Sequence, residues 1–281
     1  MTDPEYQIDK RLARAAFARA ADHYEQAAAL QQEVERRLLE RLDLVRLQPL
    51  QVLDLGCGTG RGSQALMMRY PKARLVALDI ATSMLGHTRK RGRWLRRPAC
   101  VCGDAERLPL ADQQFDLVFS NLMLQWCPDI ESVFREIRRV LKPGGLLLFT
   151  SFGPDTLVEL RDSWASVDAY THVNRFLDMH DVGDALLRSG LAEPVMDVER
   201  MTVTYHEMRD LMRDLKQIGA HNVTSGRLRG LTGKRRMQAL KAAYEGYRRD
   251  GVLPASYEVV HGHAWAPEGA QSVSLEQLGR P

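Results

Sequence analysis

Short apolar runs that alternate with amphipathic segments dominate the first two thirds of the chain. Residues 52–55, 74–78 and 115–120 have the length and apolar content of buried strands, and further strands are expected at residues 100–102 and 146–150. Segments with helical spacing separate most of these runs. The pattern therefore predicts an α/β protein with a doubly wound, Rossmann-like sheet.

A glycine-rich turn follows the first predicted strand, with Gly56, Gly58 and Gly60 in alternation. Glycine lets the backbone turn tightly and approach a ligand closely. A helix expected from Arg61 would direct its N-terminal amides at the same ligand. The spacing is tighter than that of the dinucleotide fingerprint, and the Lys-Ser/Thr pair of a triphosphate loop is missing. We interpret the turn as a nucleotide-binding loop, with a purely structural tight turn as the alternative.

Acidic residues lie within or directly after the first three predicted strands. Asp54 lies within the first strand, Asp79 ends the second, and Asp104 with Ala105 follows the third. In a doubly wound sheet, a carboxylate at the end of the second strand accepts hydrogen bonds from ribose hydroxyls. One after the third strand can accept from the exocyclic amine of adenine. Each could instead cap a helix or lie in solvent, but three in register make that interpretation weaker.

This ordered set resembles the class I S-adenosylmethionine (SAM) methyltransferases over about residues 46–153. The resemblance implies SAM as co-substrate and no metal. It also implies that the glycine loop runs beside the methionine part of SAM, while Asp79 and Asp104 hold the ribose and the adenine. The cofactor-binding residues expected on this basis are Asp54, Gly56, Gly58, Gly60, Asp79, Asp104, Ala105 and Asn121.

The remaining segments complete a single predicted domain of residues 1–281 with a seven-stranded sheet. Residues 1–45 are expected to form a helical cover, broken near His23 and Tyr24, and residues 46–153 the SAM-binding core. Two helical insertions, residues 154–181 and 206–250, are expected to act as lids beside strands at 194–205 and 256–265. Open α/β sheets bind ligands at the carboxyl ends of their strands, where such lids would lie. Residues 267–281 read as a disordered tail.

Several segments together are similar to the BioC family, the malonyl-acyl carrier protein O-methyltransferases of biotin synthesis. The similar segments are FARAADHY (17–24), SNLMLQWC (120–127), FGPDTLVEL (152–160), HVNRF (172–176) and LKQIGAHN (215–222). The resemblance implies methyl transfer from SAM to the free carboxylate of malonyl-acyl carrier protein, giving the methyl ester that starts pimeloyl synthesis. Malonyl-coenzyme A is the alternative thioester. The chain departs from the family in a long basic helix expected at residues 89–97 and in its C-terminal tail.

A malonyl carboxylate is ionised at neutral pH, so this chemistry needs positioning and no general base. A carboxylate in a partly dry pocket does need a cation or several donors. Arg175 is the first candidate, because a guanidinium binds a carboxylate in a two-pronged fashion. Tyr24, His172 and Lys216 are the further candidate donors, with Trp126 as a wall of the pocket. The alternative for Arg175 is an ordinary surface salt bridge.

Composition narrows the classes of function. The net charge of +3 is too small for a nucleic-acid-binding face, and no apolar run is long enough for a membrane span or a signal peptide. We therefore expect a cytoplasmic protein that binds neither nucleic acid nor membrane. The four cysteines, Cys57, Cys100, Cys102 and Cys127, lack zinc-site spacing and are expected to be buried thiols, and His261 and His263 are expected to serve packing or surface.

Two basic runs free of acids could receive an acidic carrier protein. The first spans Arg89–Arg97, and the second comprises Arg227, Arg229, Lys234, Arg235 and Arg236. We favour the second, because it adjoins the predicted lid. Three rival interpretations remain: another SAM-dependent small-molecule methyltransferase, a protein arginine hydroxylase similar to a complex I assembly factor, and a SAM-binding protein without catalysis.

Overall fold

The computed structural model describes residues 8–92, 96–220, 222–224, 226, 230 and 232–268. Within these residues, seven strands form one sheet in the order β3-β2-β1-β4-β5-β7-β6. The strands are β1 (Gln51–Leu55), β2 (Arg74–Asp79), β3 (Ala99–Cys102), β4 (Phe115–Ser120), β5 (Leu141–Phe152), β6 (Ala192–Tyr205) and β7 (Leu253–Trp265). Strands β1 to β5 pair in parallel, and β7 lies antiparallel between β5 and β6. The predicted seven-stranded, doubly wound sheet is confirmed.

Ten α-helices are present in the described residues. They are α1 (Lys10–Ala20), α2 (Tyr24–Ala27), α3 (Ala29–Arg41), α4 (Arg61–Arg69), α5 (Thr82–Thr88), α6 (Ile130–Val140), α7 (Val158–Ala165), α8 (Met179–Arg188), α9 (Met208–Gln217) and α10 (Lys234–Glu245). Helices α6 and α8 contribute to one apolar cluster on the sheet, and α3, α4 and α5 contribute to another.

The central strands are apolar throughout because both of their faces are covered. In β1, Leu53 and Leu55 belong to the cluster that contains α6, whereas Val52 belongs to the cluster that contains α3. Successive side chains of a strand point to opposite faces, so a strand covered on both sides reads as a continuous apolar run. This explains why the strands of the core were predictable from short apolar runs.

The N-terminal cover breaks where the sequence predicted. Helix α1 ends at Ala20, and α2 begins at Tyr24 after a turn. Asp9 caps α1 through its carboxylate, which accepts from the amides of Arg11 and Leu12 at 2.9 and 3.2 Å. A third apolar cluster joins Leu30 and Val34 of α3 to residues of α7, α9 and α10. Cover and lid helices therefore pack on one another beside the sheet.

Three local predictions were wrong. Strand β5 begins at Leu141 rather than at the predicted residue 146, because Leu141 already pairs with β4 before a register shift. The basic helix expected at residues 89–97 is absent from its described part, residues 89–92 and 96–97: α5 ends at Thr88, and the chain then turns at Gly92, whose φ is +88°. The thiol-bearing Cys102 is exposed rather than buried.

Some predictions fall outside the described residues. These are the conformation of residues 269–281 and the parts of the two basic runs formed by Arg93, Arg227 and Arg229. The division into core, cover and lids by residue number stays a prediction. No helix among the described residues has both the length and the apolar character needed to cross a membrane.

Candidate active site

A cavity lies where the carboxyl ends of β1, β2 and β4 meet, and we call it the sheet-edge cavity. It brings together six of the eight residues predicted to bind the cofactor: Gly56, Gly58, Asp79, Asp104, Ala105 and Asn121. Parallel strands end at the same edge of a sheet, which is why residues far apart in sequence meet there. Lys10, Ala13 and Phe17 of α1 line the same cavity, so the cover helix forms part of its wall.

Two glycines of the loop, Gly56 and Gly60, lie so close to neighbouring side chains that a Cβ would not fit. Gly56 has a φ of +78°, and a Cβ at this position would lie 2.2 Å from Cγ of Met123. Gly60 has a φ of +83° at the start of α4, and a Cβ there would lie 2.8 Å from Thr88. Gly60 does not line the sheet-edge cavity, so the structure assigns it to the packing of the loop against α5.

Asp79 is held by the loop that it faces. Its Oδ2 accepts from the amide of Gly58 at 2.9 Å, and its Oδ1 accepts from the amide of Ala81 at 2.8 Å. Burial raises the pKa of Asp79, and these amides oppose that shift by stabilising the charge. The carboxylate keeps further lone pairs for a ligand with hydroxyl groups.

Asp104 is paired with a lysine from the cover. Nζ of Lys10 lies 2.8 and 2.7 Å from the two carboxylate oxygens of Asp104 and 2.6 Å from Oε2 of Glu106. Burial lowers the pKa of Lys10, but the hydrogen bonds to the two carboxylates outweigh it and the pKa is raised. Sequence reasoning missed Lys10, because its contact with Asp104 joins residues 94 positions apart.

Asn121 and Tyr24 lie between the glycine loop and α3. The Nδ2 of Asn121 donates to the carbonyl of Gln31 at 3.2 Å, and its Oδ1 accepts from Thr150 at 2.8 Å. Both ends of this amide are thus used to fix the end of β4 against the cover. The pKa of Tyr24 is raised by burial and by the charges of Asp79 and Glu35, so its phenol stays protonated and can donate.

A second, smaller cavity adjoins the loop, and we call it the glycine-loop cavity. It is lined by Glu35, Asp54 and Arg61 together with Tyr24 and the loop itself. Burial raises the pKa of Asp54 to about 7 although Ser63 donates to it at 2.5 Å. Burial, with the charge of Asp54, also raises the pKa of Glu35 to about 7. Glu25 also lines this cavity but is paired with Arg91. The two more deeply buried carboxyls, Glu35 and Asp54, lie beside the guanidinium of Arg61, and this set suits a ligand that carries both an ammonium and a carboxylate.

A third cavity of about 880 Å³, the lid cavity, lies between α1, α9 and the segment from Thr156 to Phe176. It shares part of its lining with the sheet-edge cavity, namely Gln31, Trp126, Phe152, Ile218 and Ala220. Its described lining carries the basic residues Arg19, His23, His172, Arg213 and Lys216 and has no carboxylate. The arrangement suits an anionic acceptor placed next to a ligand of the sheet-edge cavity.

His172 is fixed in the wall of the lid cavity. Its ring stacks on Trp164 with centroids 3.6 Å apart, and its Nε2 lies 2.7 Å from Oδ1 of Asp168. Burial would raise the pKa of Asp168, but the bond with His172 helps to lower it. Nε of Arg236 lies 3.7 Å from the other oxygen of Asp168. The two lid insertions therefore meet at this ion-paired group.

The structure separates Arg175 from the other predicted acceptor residues. Lys216 is exposed on the rim of the lid cavity, as is Arg19, whereas Arg175 is exposed on a different groove. That groove is lined by the acids Asp129, Glu131, Asp178 and Asp181. The negative charges of these carboxylates would disfavour the binding of an anionic acceptor in this groove.

Sequence reasoning missed Arg19, Gln31 and Glu35 as site residues. Arg19 stands inside the segment FARAADHY, so its position in a family-like segment was an available signal. Glu35 is an acid next to Val34, which is fully buried in the face that α3 turns to the protein interior. Only the placement of α1 and α3 over the sheet edge brings these side chains to the cavities.

Comparisons with known proteins agree with this geometry. A family model described as a methyltransferase domain matches residues 53–149. The chain is 51% identical over 269 residues to a malonyl-[acyl-carrier protein] O-methyltransferase of Gallionella capsiferriformans, covering 94% of this chain and 93% of the relative. It is 53% identical over 275 residues to the protein of the same name from Laribacter hongkongensis, with coverages of 95% and 92%.

A solved structure supports the fold. A putative methyltransferase of Bacillus halodurans superposes with a TM-score of 0.59 at 22% identity, covering 83% of this chain and 99% of that one. The fold and the cavities at the sheet edge define a SAM-dependent methyltransferase, with SAM as co-substrate. Within that class, the chain belongs to the malonyl-[acyl-carrier protein] O-methyltransferase family. The family predicted from the sequence is therefore confirmed.

Proposed function

We propose that the protein transfers the methyl group of SAM to the free carboxylate of malonyl-acyl carrier protein, forming a methyl ester. The observation that carries the proposal is the lid cavity, which adjoins the sheet-edge cavity at Trp126 and Phe152 and offers basic residues without an acid among its described lining. An ionised carboxylate loses much of its hydration in such a cavity, so cations and donors must replace it.

SAM fits the sheet-edge and glycine-loop cavities together. In this proposal Asp79 accepts from the ribose hydroxyls and Asp104 from the adenine amine. Asp54 and Glu35 receive the ammonium of the methionine moiety, and Arg61 lies beside its carboxylate. Gly56, Gly58, Gly60, Ala105 and Asn121 shape the cavity through backbone and amide contacts. The structure supports the placement because the charges around the glycine-loop cavity match a zwitterion.

SAM supplies an electrophilic methyl group, and the chain's residues supply alignment. Three neutral donors line the sheet-edge cavity: the phenol of Tyr24 and, where this cavity meets the lid cavity, the amide of Gln31 and the indole of Trp126. We propose that they orient the malonyl carboxylate, while the cations Arg19 and Lys216 and the imidazole of His172 favour its arrival from the lid side. Neutral donors leave the nucleophilic oxygen more reactive than a tight ion pair would. The predicted role of Arg175 as the carboxylate-binding residue competes with this assignment.

The carrier protein is proposed to dock at the start of α10. The first turn of this helix consists of Lys234, Arg235 and Arg236 and contains no acidic residue. Cations at a helix N-terminus oppose the helix dipole, so their presence there costs stability and indicates another use. Through Asp168, Arg236 adjoins His172 on the lid cavity, which places this basic turn beside the route to the acceptor site.

We extend the proposal to the alternative acceptor, to nucleic acid and to the cellular compartment. Malonyl-coenzyme A is a smaller acceptor with the same thioester and carboxylate. The net charge of +3 supports no interaction with nucleic acid, and we place the protein in the cytoplasm, where the carrier protein and SAM are present.

A methyl-transfer assay tests the function directly. The protein is incubated with labelled SAM and, in parallel, malonyl carrier protein, butyryl carrier protein and free malonate. Label is expected in malonyl carrier protein as a base-labile ester, with little in the other two. Equal labelling of free malonate would indicate another small-molecule methyltransferase, and no labelling of malonyl carrier protein would contradict the proposal.

A further inference from the structure

The carbonyl oxygen of the buried Asn174 side chain lacks a hydrogen bond among the described residues. Asn174 lines the lid cavity on the segment between α7 and α8, and its relative exposure is 7%. Its Oδ1 is inaccessible to solvent and has no partner among the described residues. Such an atom calls for an explanation, because buried polar atoms in proteins are paired in the large majority of cases.

A second asparagine of the same cavity makes a useful contrast. Nδ2 of Asn222 donates to the carbonyl of Thr171, and its Oδ1 accepts from the amide of Thr224 at 2.8 Å. Asn222 thus performs a structural task with both ends of its amide. Oδ1 of Asn174 has no such partner in the described residues, so a ligand of the lid cavity is a candidate for one.

The unpaired atom identifies the chemistry of that partner. Oδ1 is an acceptor, so the ligand must bring a donor. The malonyl carboxylate is ionised at neutral pH and the thioester has no polar hydrogen, so neither can serve. The thiol arm on which carrier proteins hold their acyl groups carries a secondary amide two methylenes beyond the sulfur. Its N–H is the first donor that the arm offers behind the malonyl group.

The position of Asn174 agrees with such a contact. Phe176, two residues further along, packs on Phe152 with ring centroids 5.6 Å apart. Phe152 belongs to both the lid cavity and the sheet-edge cavity, so Asn174 lies close behind the junction. A malonyl group that reaches the junction would leave its sulfur and first amide on the lid side, where Asn174 stands.

We propose that the Asn174 side chain turns its Oδ1, which is closed off in the free protein, into the lid cavity when the acyl arm enters. There Oδ1 accepts a hydrogen bond from the amide nearest the thioester and thereby sets how far the arm enters. This inference rests on the proposed function. Asn174 acts as a positioning residue, since it contacts the arm and not the reacting carboxylate. Its expected effect is selectivity for thioesters of amide-bearing thiols over otherwise equal thioesters.

The test uses two synthetic acceptors that differ in one group. Malonyl-N-acetylcysteamine has the amide N–H, and the malonyl thioester of 2-acetoxyethanethiol has an ester oxygen in its place. The wild-type enzyme is expected to use the amide compound with a kcat/KM roughly tenfold higher. In Asn174→Leu this ratio should fall to about two or less, because the near-isosteric side chain cannot accept. Gln114→Leu, at an exposed amide remote from the cavities, should keep the wild-type ratio.

The thermal midpoint of Asn174→Leu separates this role from a structural one. Removal of an unpaired buried amide should leave the midpoint unchanged or raise it. An unchanged amide-to-ester ratio in Asn174→Leu overturns the inference, as does an equal loss with both acceptors. If the wild-type enzyme methylates no malonyl thioester, including malonyl carrier protein, the proposed function itself fails. Should Asn174→Leu prove unstable, the amide-to-ester ratio of kcat/KM in the wild-type enzyme still tests the inference. A ratio near one would show that the enzyme does not recognise the amide N–H and would overturn it.

Discussion

The amide of Gly58 donates to Oδ2 of Asp79 across 2.9 Å, so the loop after β1 and the last residue of β2 are one unit. The same carboxylate accepts from Ala81 on its other oxygen. Asp79 therefore fixes the shape of the glycine loop as well as facing the sheet-edge cavity. Any ligand that rests on this loop depends on Asp79 twice, through direct contact and through the loop.

Replacing Asp79 should weaken SAM binding. Asp79→Ala removes the proposed acceptor for the ribose and the clamp on Gly58, so the loss should be about 1–3 kcal/mol, as for charged hydrogen bonds. Calorimetry on the folded variant measures it. Asp162→Ala, at an exposed acid on α7, is the control and should bind SAM normally. Unchanged affinity in Asp79→Ala would refute the assignment.

Lys10 is expected to slow the release of SAM. Because Lys10 ties α1 to Asp104 and Glu106, Lys10→Met should free the start of the cover and increase the dissociation rate of SAM roughly three- to tenfold. Stopped-flow fluorescence would resolve this rate. Arg14→Met, on the exposed face of the same helix, serves as the matched control. A slower release from Lys10→Met would mean that Lys10 competes with the ligand for Asp104.

Glu35 and Asp54 of the glycine-loop cavity should make the stability of the free protein depend on pH. Their pKa values, raised to about 7 by burial, exceed the ordinary values of 4.5 for Glu35 and 3.8 for Asp54. The native state therefore holds protons that the unfolded state has lost, so the contribution of these two groups to stability is fully present below about pH 4 and is lost as the pH rises through 7. The free energy of unfolding from urea titrations should fall across this window.

Glu35→Gln isolates this effect. The variant should be more stable than the wild type at pH 8, on the order of 2 kcal/mol, because no charge is then buried. It should also bind SAM more weakly at that pH, because the ammonium loses a counter-charge. Glu40→Gln, exposed at the end of the same helix, is the control. A Glu35→Gln variant with the pH profile of the wild type would contradict the prediction.

Variants of Arg19 and Arg175 distinguish between the two candidate positions of the acceptor site. If the lid cavity receives malonyl carrier protein, Arg19→Ala should lower kcat/KM about tenfold or more and Arg175→Ala much less. SAM affinity should stay constant in both, because neither arginine lines the sheet-edge cavity or the glycine-loop cavity. A sharp loss in Arg175→Ala alone, absent with an acceptor lacking a carboxylate, would instead support the role predicted from the sequence.

Charge reversal at the start of α10 tests carrier docking. Lys234→Glu with Arg235→Glu should raise the KM for malonyl carrier protein far more than for malonyl-coenzyme A, which can enter without a protein contact. The difference should shrink at high salt, where the screening length falls below about 8 Å. Arg89→Glu with Lys90→Glu is the matched pair in the other basic run. Equal effects on both thioesters, or a defect that salt does not change, would exclude docking at α10.

The core was predictable because its strands are covered on both faces. Runs such as residues 52–55 and 115–120 signal a buried strand by composition alone, and strand ends then place Asp79 and Asp104 at one edge. Basic composition was a poorer guide, since charge does not determine helix length. The turn after Thr88 depends on Gly92 and on Arg91, which donates to the carbonyl of Thr59 at 3.1 Å.

The acceptor side was harder to predict than the cofactor side. Arg19, Gln31 and Glu35 reach the cavities only because α1 and α3 cross the sheet edge, and that crossing is set by packing of Leu30 and Val34 on the lid helices. Contacts between segments so distant in sequence leave no periodic signal. Arg175 has the right chemistry, yet the chain between α7 and α8 presents it to an acidic groove.

One short pairing has a kinetic consequence. Ile8 pairs with Thr224, and the amide of Asp9 donates to the carbonyl of Val223 at 3.1 Å, so the start of α1 is joined to the segment after α9. Both of these elements line the sheet-edge cavity and the lid cavity. Because these backbone contacts join them, we expect the two elements to move together. The used cofactor and the methyl ester would then be released in one opening motion. The rate of this one motion would then limit turnover, and the two products together would inhibit the enzyme.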